Sequence, residues 1–233
     1  MTAKNLRAPP SRVFAQGMRI TKLEHSTFVV EELGSKLIVD PGGFTPPLAD
    51  LTHVAAVVLT HEHSDHWSND HLDRISAANP GVSVYGPAGV AAAAARHLII
   101  TVSPGDEAAA GPFHLRFFGG THALIHRTIP LIDNIGVLIN DRIFYGGDSL
   151  EVPDVPVEVL AAPLGAPWMK ISEGMDFAEG VCPRQAFGVH EGVLSPLGVN
   201  MSHTRLAWAV EQGGGTYYPL AAGDSLELTP IDR

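Results

Sequence analysis

Within the six residues His61-Glu62-His63-Ser64-Asp65-His66, four side chains are of metal-ligand type. The run stands directly behind Val54–Thr60, a nearly unbroken apolar segment that reads as a strand covered on both faces. In an extended chain, residues two apart point to the same side, so His61 and His63 can face one ion while Glu62 points away. Asp65 and His66 are neighbours and cannot both follow that alternation unless the chain turns. Such a turn would let them serve a second ion beside the first. Three more ligand-type residues follow predicted strands: His122 behind 113–118 and the small-residue turn Gly119-Gly120-Thr121, Asp148 behind Ile143-Phe144-Tyr145-Gly146-Gly147, and His190 behind Ala186–Val189. The chemistry open to such a set is that of bound divalent ions.

The elements that must carry these residues read as follows. Residues 18–30 and 35–40 are predicted as two strands joined by a turn at Gly34, with Pro41-Gly42-Gly43 closing the second. After the strand at 54–60, residues 68–79 form a helix, 82–85 a short strand, and Pro87 opens a helix holding the alanine run 91–95. Strands are expected at 98–102, 113–118, 134–139, 142–146, 156–160, 185–190 and 225–228, and helices at 171–181 and 203–212. A Rossmann arrangement fits poorly, because no G-x-G-x-x-G follows the first strand. Two sheets packed face to face with helices outside fit better, as one domain over residues 16–233.

Composition narrows the function. With 45% apolar and 17% charged residues, the 233-residue chain can bury a substantial core. A formal charge of -10 argues against a general nucleic-acid binder, which would carry a basic excess. The lone Cys182 excludes an intrachain disulfide and a Cys-rich zinc site, and is expected to be a small buried apolar residue. Nothing approaches the roughly 20 continuous apolar residues of a membrane span. Lys4, Arg7 and Arg12 surround Pro9-Pro10 where a signal peptide would need its apolar segment, so residues 1–15 are expected to be a loosely ordered arm and the protein cytoplasmic.

The ordered set Asp40, His61/His63/Asp65/His66, His122, Asp148 and His190 resembles the fingerprint of the metallo-β-lactamase superfamily, over nearly all of the chain after the arm. Within it the sequence is most similar to the branch containing ascorbate-6-phosphate lactonase, through His25-Ser26-Thr27 with Asp40-Pro41, Thr121–His126, Gly147-Asp148-Ser149 and Ala166-Pro167-Trp168. The resemblance implies a mixed α/β (α+β) fold, the four-layer αββα sandwich of the metallo-β-lactamase type, with two metals at one edge. It implies that His61, His63 and His122 hold the first, that Asp65, His66 and His190 hold the second, and that Asp148 bridges. Seven N/O ligands without a thiolate suit Zn²⁺ first, with Mn²⁺ or Fe as alternatives. Glu24 departs from a glycine common in that branch and Glu191 from an aspartate; neither change removes a ligand.

The expected activity is then that of a dinuclear metal-dependent hydrolase. Two ions about 3.5–4 Å apart share a water and lower its pKa, and the bridging hydroxide attacks a small ester, lactone or phosphoester. Asp65 would orient that hydroxide and pass its proton on. Asp40 is read as a carboxylate fixing the histidine loop from behind, against the simpler role of a turn residue before Pro41. His126, Trp168 and Lys170 are weak candidates for substrate contacts, and His25 for the pocket. The expected partner is a small molecule, with neither nucleic acid nor membrane; a homo-oligomer is compatible with the sequence. Two alternatives stay open: a non-catalytic metal-binding or sensory module, and a di-iron redox protein on the same fold. The second is disfavoured because His63 stands where that branch has a carboxylate.

Overall fold

The computed structural model describes residues 17–229; the expected arm at 1–15 lies outside them. The chain runs β1 (Met18–Lys22), β2 (Phe28–Glu32), β3 (Ser35–Val39), β4 (Val54–Val58), α1 (Asn69–Ala78), β5 (Ser83–Gly86), α2 (Ala88–Ala93), β6 (Ile100–Thr101) and β7 (Glu107–Ala110). It continues with β8 (Phe113–Thr121), β9 (Asp133–Ile139), β10 (Ile143–Tyr145), β11 (Val159–Pro163), α3 (Ile171–Val181), β12 (Gln185–Val189), α4 (Pro196–Gln212), β13 (Thr216–Tyr218) and β14 (Ser225–Leu228).

Two seven-stranded sheets result, ordered β14-β1-β2-β3-β4-β5-β6 and β13-β12-β11-β10-β9-β8-β7. Strand alternation builds the layers. Leu37 and Val39 of β3 face the other sheet, where Phe117, Val137, Tyr145 and Phe187 meet them, while Ile38 between them faces Leu72 and Ile75 of α1. On the opposite side Leu138, Phe144 and Leu160 turn outward onto Phe177 of α3 and Leu206 of α4. This is the expected αββα sandwich. Strands β4 and β11 are apolar throughout because both of their faces are covered.

Strand direction gathers the ligand-type residues at one edge. Strands β3 and β4 pair in parallel, as do β10, β11 and β12. Strand β8 runs with β10, since each is antiparallel to β9. Asp40 therefore follows β3, the histidine run follows β4, and His122, Asp148 and His190 follow β8, β10 and β12, all at strand C-termini on the same rim. The sheets are stitched there by Ile135 N–H donating to the Thr60 carbonyl at 2.9 Å.

Several boundaries differ from the sequence reading. The segment 18–30 is two strands, not one, because residues 23–27 form a turn closed by Leu23 N–H to Thr27 O at 2.9 Å. Strand β7 was not expected: Glu107-Ala-Ala-Ala lacks β-formers and exists by pairing with β8. Helix α4 begins at Pro196 rather than 203, with Ser195 Oγ accepting from Gly198 N–H, a serine cap before an N1 proline that was present in the sequence. Cys182 is exposed, not buried, because it caps α3 in the left-handed region at φ 50°. Among the described residues no helix is long and apolar enough to cross a membrane.

Candidate metal centre

The turn that the histidine run needs is formed: His66 N–H donates to the His63 carbonyl at 3.0 Å. It lies against the loop after β3, where Gly43 N–H donates to Ser64 O at 2.8 Å. Gly42 makes this approach feasible, since a Cβ there would overlap the Asp65 carbonyl. The turn divides the motif into two groups. His61, His63, His122 and Asp148 offer ligand atoms within 4.8 Å of one another, and His25, Asp65, His66 and His190 do the same.

Asp148 stands between the groups. Its Oδ1 lies 3.2 Å from His190 Nε2 and 3.3 Å from His66 Nε2, while its Oδ2 lies 3.4 Å from His122 Nε2. Three of these buried atoms, His122 Nε2, His190 Nε2 and Asp148 Oδ1, have no hydrogen-bond partner at all. An unpaired buried polar atom costs about 1–3 kcal/mol, so three converging on one point are better explained by a missing positive centre than by packing. The donor set is imidazole and carboxylate, suited to divalent zinc, manganese or iron. The residues present therefore fit the pair of metals that the resemblance implied.

Three of the histidines are held from behind. His122 Nδ1–H donates to its neighbour Ala123 O at 2.6 Å and His190 Nδ1–H to Gly165 O at 2.8 Å, which leaves both Nε2 lone pairs facing inward. His66 Nδ1–H donates to Asp40 Oδ2 at 2.7 Å. Asp40 is fully buried and also accepts from Thr60 N–H at 2.8 Å and Thr60 Oγ1–H at 2.7 Å. It orients the histidine run, and does so from φ 44°, a backbone region Asp tolerates better than most residues. His190 and His25 are also held at positive φ, 64° and 56°. Local strain accumulates at this rim, as it does at functional sites.

The electrostatics favour a cation. Burial works against the His66 imidazolium, but the carboxylates of Asp148 and Asp40 outweigh it and push His66 up to about 10. Burial would raise the Asp148 carboxyl, yet His66, His122 and His190 hold it well below its ordinary range. His61 and His63 go the other way: burial, then the neighbouring imidazoles, holds both below their ordinary value and therefore neutral, as ligands must be. Burial also opposes ionisation of Asp65, and the hydrogen bond from His25 with the charge of His66 overrides it, holding Asp65 at about 2.

His25, Asn134 and Thr60 complete the site. His25 Nδ1 accepts from Gly192 N–H at 3.0 Å, so its proton sits on Nε2 and is donated to Asp65 Oδ2 at 3.1 Å. His25 thus aims a carboxylate instead of binding an ion itself. Asn134, fully buried, forms a β-bridge with His61 and accepts from Asp148 N–H at 3.0 Å while donating to Gly146 O at 2.9 Å, tying these two members of the first group together. A Cβ on Gly147 would overlap Asn134 Oδ1, and Gly147 has φ 62°, so the residue before Asp148 must be glycine. The His25-Ser26-Thr27 stretch was a signal for the first; an asparagine opening an apolar strand gave none for the second.

The weaker candidates separate. Trp168 reaches the centre, donating Nε1–H to Asp148 Oδ2 at 3.0 Å with its ring 5.7 Å from that of His122. His126 is exposed and turned to Thr128, whose Oγ1 is 2.7 Å from Nδ1, so it is not brought to the ligands. Lys170 is exposed ahead of α3, its backbone N–H donating to Glu173 Oε2. A larger cavity, about 580 Å³, lies elsewhere, among Asp106, Glu107, Arg116 and Glu151. A smaller one of about 310 Å³ opens on His63 and His122. The second is the one joined to chemistry.

Comparison with known proteins agrees with this fold. Residues 19–190 match the family described as Beta-lactamase superfamily domain. Protein Rv0786c of Mycobacterium tuberculosis is 35% identical over 194 residues, which is 81% of this chain and 91% of that protein. Among solved structures, Igni18, a metallo hydrolase from the hyperthermophilic archaeon Ignicoccus hospitalis, superposes with a TM-score of 0.70 at 16% identity, over 93% of this chain and 100% of that one. CmlA, a diiron β-hydroxylase from Streptomyces venezuelae, superposes with a TM-score of 0.71 at 16% identity, over 91% of this chain and 54% of that one. At such identities the two structures establish a shared fold and leave the chemistry to the site.

Proposed function

The chain belongs to the β-lactamase superfamily, and from that premise we propose that it is a dinuclear metal-dependent hydrolase acting on a small ester, lactone or phosphoester. The observation that carries the proposal is the position of Asp148, with one oxygen facing His66 and His190 and the other facing His122. In this reading His61, His63 and His122 would hold one ion, Asp65, His66 and His190 would hold the other, and Asp148 would serve both. Zinc is the first choice on ligand type, ahead of manganese and iron. When bound, such ions supply Lewis acidity that polarises a carbonyl or phosphoryl oxygen and acidifies water.

The chain's own residues do the rest. Asp65 accepts the O–H of the attacking water at a carboxylate oxygen and fixes its direction. Held at about 2, it is a weak base, so it hands the proton on in the same step instead of storing it. His25 keeps the Asp65 carboxylate from rotating, Trp168 does the same for Asp148, and Asn134 fixes the Asp148 backbone. The half-buried His63 and the adjoining cavity leave an approach for substrate, as a catalytic site requires and a purely structural one does not. A fold shared with a diiron hydroxylase does not choose between hydrolysis and redox chemistry; the histidine-rich donor set and the open face favour hydrolysis.

The test is a substrate panel of lactone, carboxylic ester, thioester, phosphodiester and β-lactam, run with metal-loaded and chelated protein. Turnover that needs metal and is fastest on a lactone or small ester is expected. Metal-dependent oxidation with no hydrolysis of any member would refute the proposal.

A further inference from the structure

The segment joining β8 to β9 carries Leu124, Ile125, Ile129, Pro130, Leu131 and Ile132 in nine residues. A surface connection of that length is ordinarily polar, yet here Leu124 is 59%, Ile129 45% and Leu131 58% exposed. Five of the six, all but Leu124, wall the 310 Å³ cavity whose floor is His63 and His122. Its one charged wall residue, Glu62, turns its carboxylate toward Gly89 at the start of α2. No lysine or arginine lines it.

The walls are preformed. His122 N–H donates to Ile132 O at 3.0 Å, Ala123 N–H to Asp148 O at 2.8 Å and Ile129 N–H to His126 O at 2.9 Å. The segment is thereby anchored to Asp148 itself at one end and closed on itself at the tip. An exposed apolar patch that is held rigid and is continuous with a ligand cluster marks a binding groove for an apolar group. At roughly 30 Å³ for each water-sized group, the cavity holds about ten non-hydrogen atoms.

We propose that this cavity receives the hydrocarbon part of the substrate, and that the substrate is an uncharged ester or lactone bearing a medium-length aliphatic group. This rests on the hydrolase reading above. It selects within that reading against phosphoesters, because a phosphate placed here would meet aliphatic walls, Glu62 and no cationic side chain. The reaction adds water across the acyl C–O bond: the water oxygen bonds to the acyl carbon, the C–O bond breaks, and the water proton goes to the departing alkoxide. The products are a carboxylic acid and an alcohol, which remain one molecule when the substrate is a lactone.

The experiment uses the metal-loaded protein with 4-nitrophenyl esters from acetate to decanoate and the matching γ-alkyl lactones. Each methylene that enters should raise kcat/KM by about two- to fourfold until the cavity fills, so octanoate should exceed acetate by at least about tenfold. Leu131→Ser and Ile125→Ser should each flatten that chain-length dependence, whereas Leu124→Ser, which lines no part of the cavity, should preserve it. A second readout does not depend on turnover. In protein labelled at isoleucine δ1 methyls, titration with 1-hexanol should shift Ile125, Ile129 and Ile132 and leave Ile20 and Ile38, deep in the core, unmoved. Measurable ester hydrolysis with a flat series and no isoleucine shifts overturns the cavity proposal and keeps the hydrolase. A silent panel with the isoleucine shifts present overturns the hydrolase reading and keeps a hydrocarbon site.

Discussion

Replacing Asp40 by asparagine separates what this residue does electrostatically from what it does conformationally. Asparagine tolerates the left-handed backbone at φ 44° as well as aspartate does, so the turn before Pro41 survives. The hydrogen bonding does not. Asp40 accepts three bonds: Thr60 N–H on Oδ1, and Thr60 Oγ1–H and His66 Nδ1–H on Oδ2. An amide offers one oxygen. If that oxygen faces His66, the NH₂ meets the Thr60 N–H donor to donor. If it faces Thr60 N–H, the NH₂ meets His66 Nδ1, which must give up its proton and carry it on Nε2, the atom aimed at Asp148. Either way at least one charge-assisted bond is lost, at about 1.5–3 kcal/mol. Loss of the group behind a ligating histidine typically weakens metal binding about 10–100-fold, which is about 1.4–2.7 kcal/mol, so the two estimates overlap. Asp40→Asn should therefore lower affinity at the His66-containing position by about 10–100-fold, measured by competition with a chromophoric chelator. It should also lower the Tm of chelated protein by about 3–12 °C for a chain of this size. If metal affinity and Tm both match the parent, Asp40 is only a turn residue and the reasoning about His66 is wrong.

Three further outcomes are expected. Elemental analysis of loaded protein should approach about two ions per chain, with His122→Ala depleting mainly one position and His190→Ala mainly the other; fewer than about 1.5 ions in the parent would refute the two-metal arrangement. Because His66 is pushed up to about 10, it carries a proton at neutral pH that a metal on Nε2 must displace. Calorimetric metal titrations in buffers of different ionisation enthalpy at about pH 8 should show release of about one proton or more, with apparent affinity rising toward the His66 value, and no release would contradict this. Gly42→Ala should destabilise the fold by about 1–3 kcal/mol in denaturant titrations and loosen metal at the Asp65 position, since its Cβ would overlap the Asp65 carbonyl; a fully stable, fully loaded variant would refute the close approach.

The ligand rim was legible because its rule is local: a polar residue of ligand type directly after a buried strand. That rule finds His61, His122, Asp148 and His190 one at a time, and the direction of the parallel strands brings them together. What lay behind the rim was less legible. His25 was read as lying inside a strand, and Lys22 at the end of β1 and Glu191 beyond β12, paired at 2.6 Å beside its turn, are 169 positions apart in sequence. Asn134 acts through two ends at once, a backbone bridge to His61 and a side chain on Asp148, and nothing in the residues around it signals either. Strand β7 is the fold-level counterpart, since its alanines become a strand only through the neighbour they pair with.

Under the dinuclear proposal, the same carboxylates account for a preference for two ions over one. Asp40, Asp65 and Asp148 converge on histidines of which His61 and His63 are kept neutral, so three carboxylates outnumber the imidazolium of His66 in a largely buried space. Burying charge without compensation is far more costly than forming any single contact. With every histidine neutral, as metal binding requires, one divalent ion would leave the three carboxylates in excess and would disfavour the oxyanion that forms on an acyl centre. Two would reverse the sign and leave one net positive charge, which would match the one negative charge that develops in the transition state of ester hydrolysis. A neutral substrate reaches that balance without a cation of its own, whereas an anionic phosphoester brings a further negative charge that the cavity wall has no lysine or arginine to meet. Under the proposed function, site charge and cavity lining favour the same class of substrate by separate routes. A variant that adds charge without touching a ligand tests the link: Ile129→Lys, at the exposed wall, should shift the ratio of kcat/KM for a phosphodiester against a neutral ester by about tenfold or more toward the phosphodiester, the effect of one close charge pair at a partly screened surface. An unchanged ratio would show that the wall and the metal centre do not act on the same substrate.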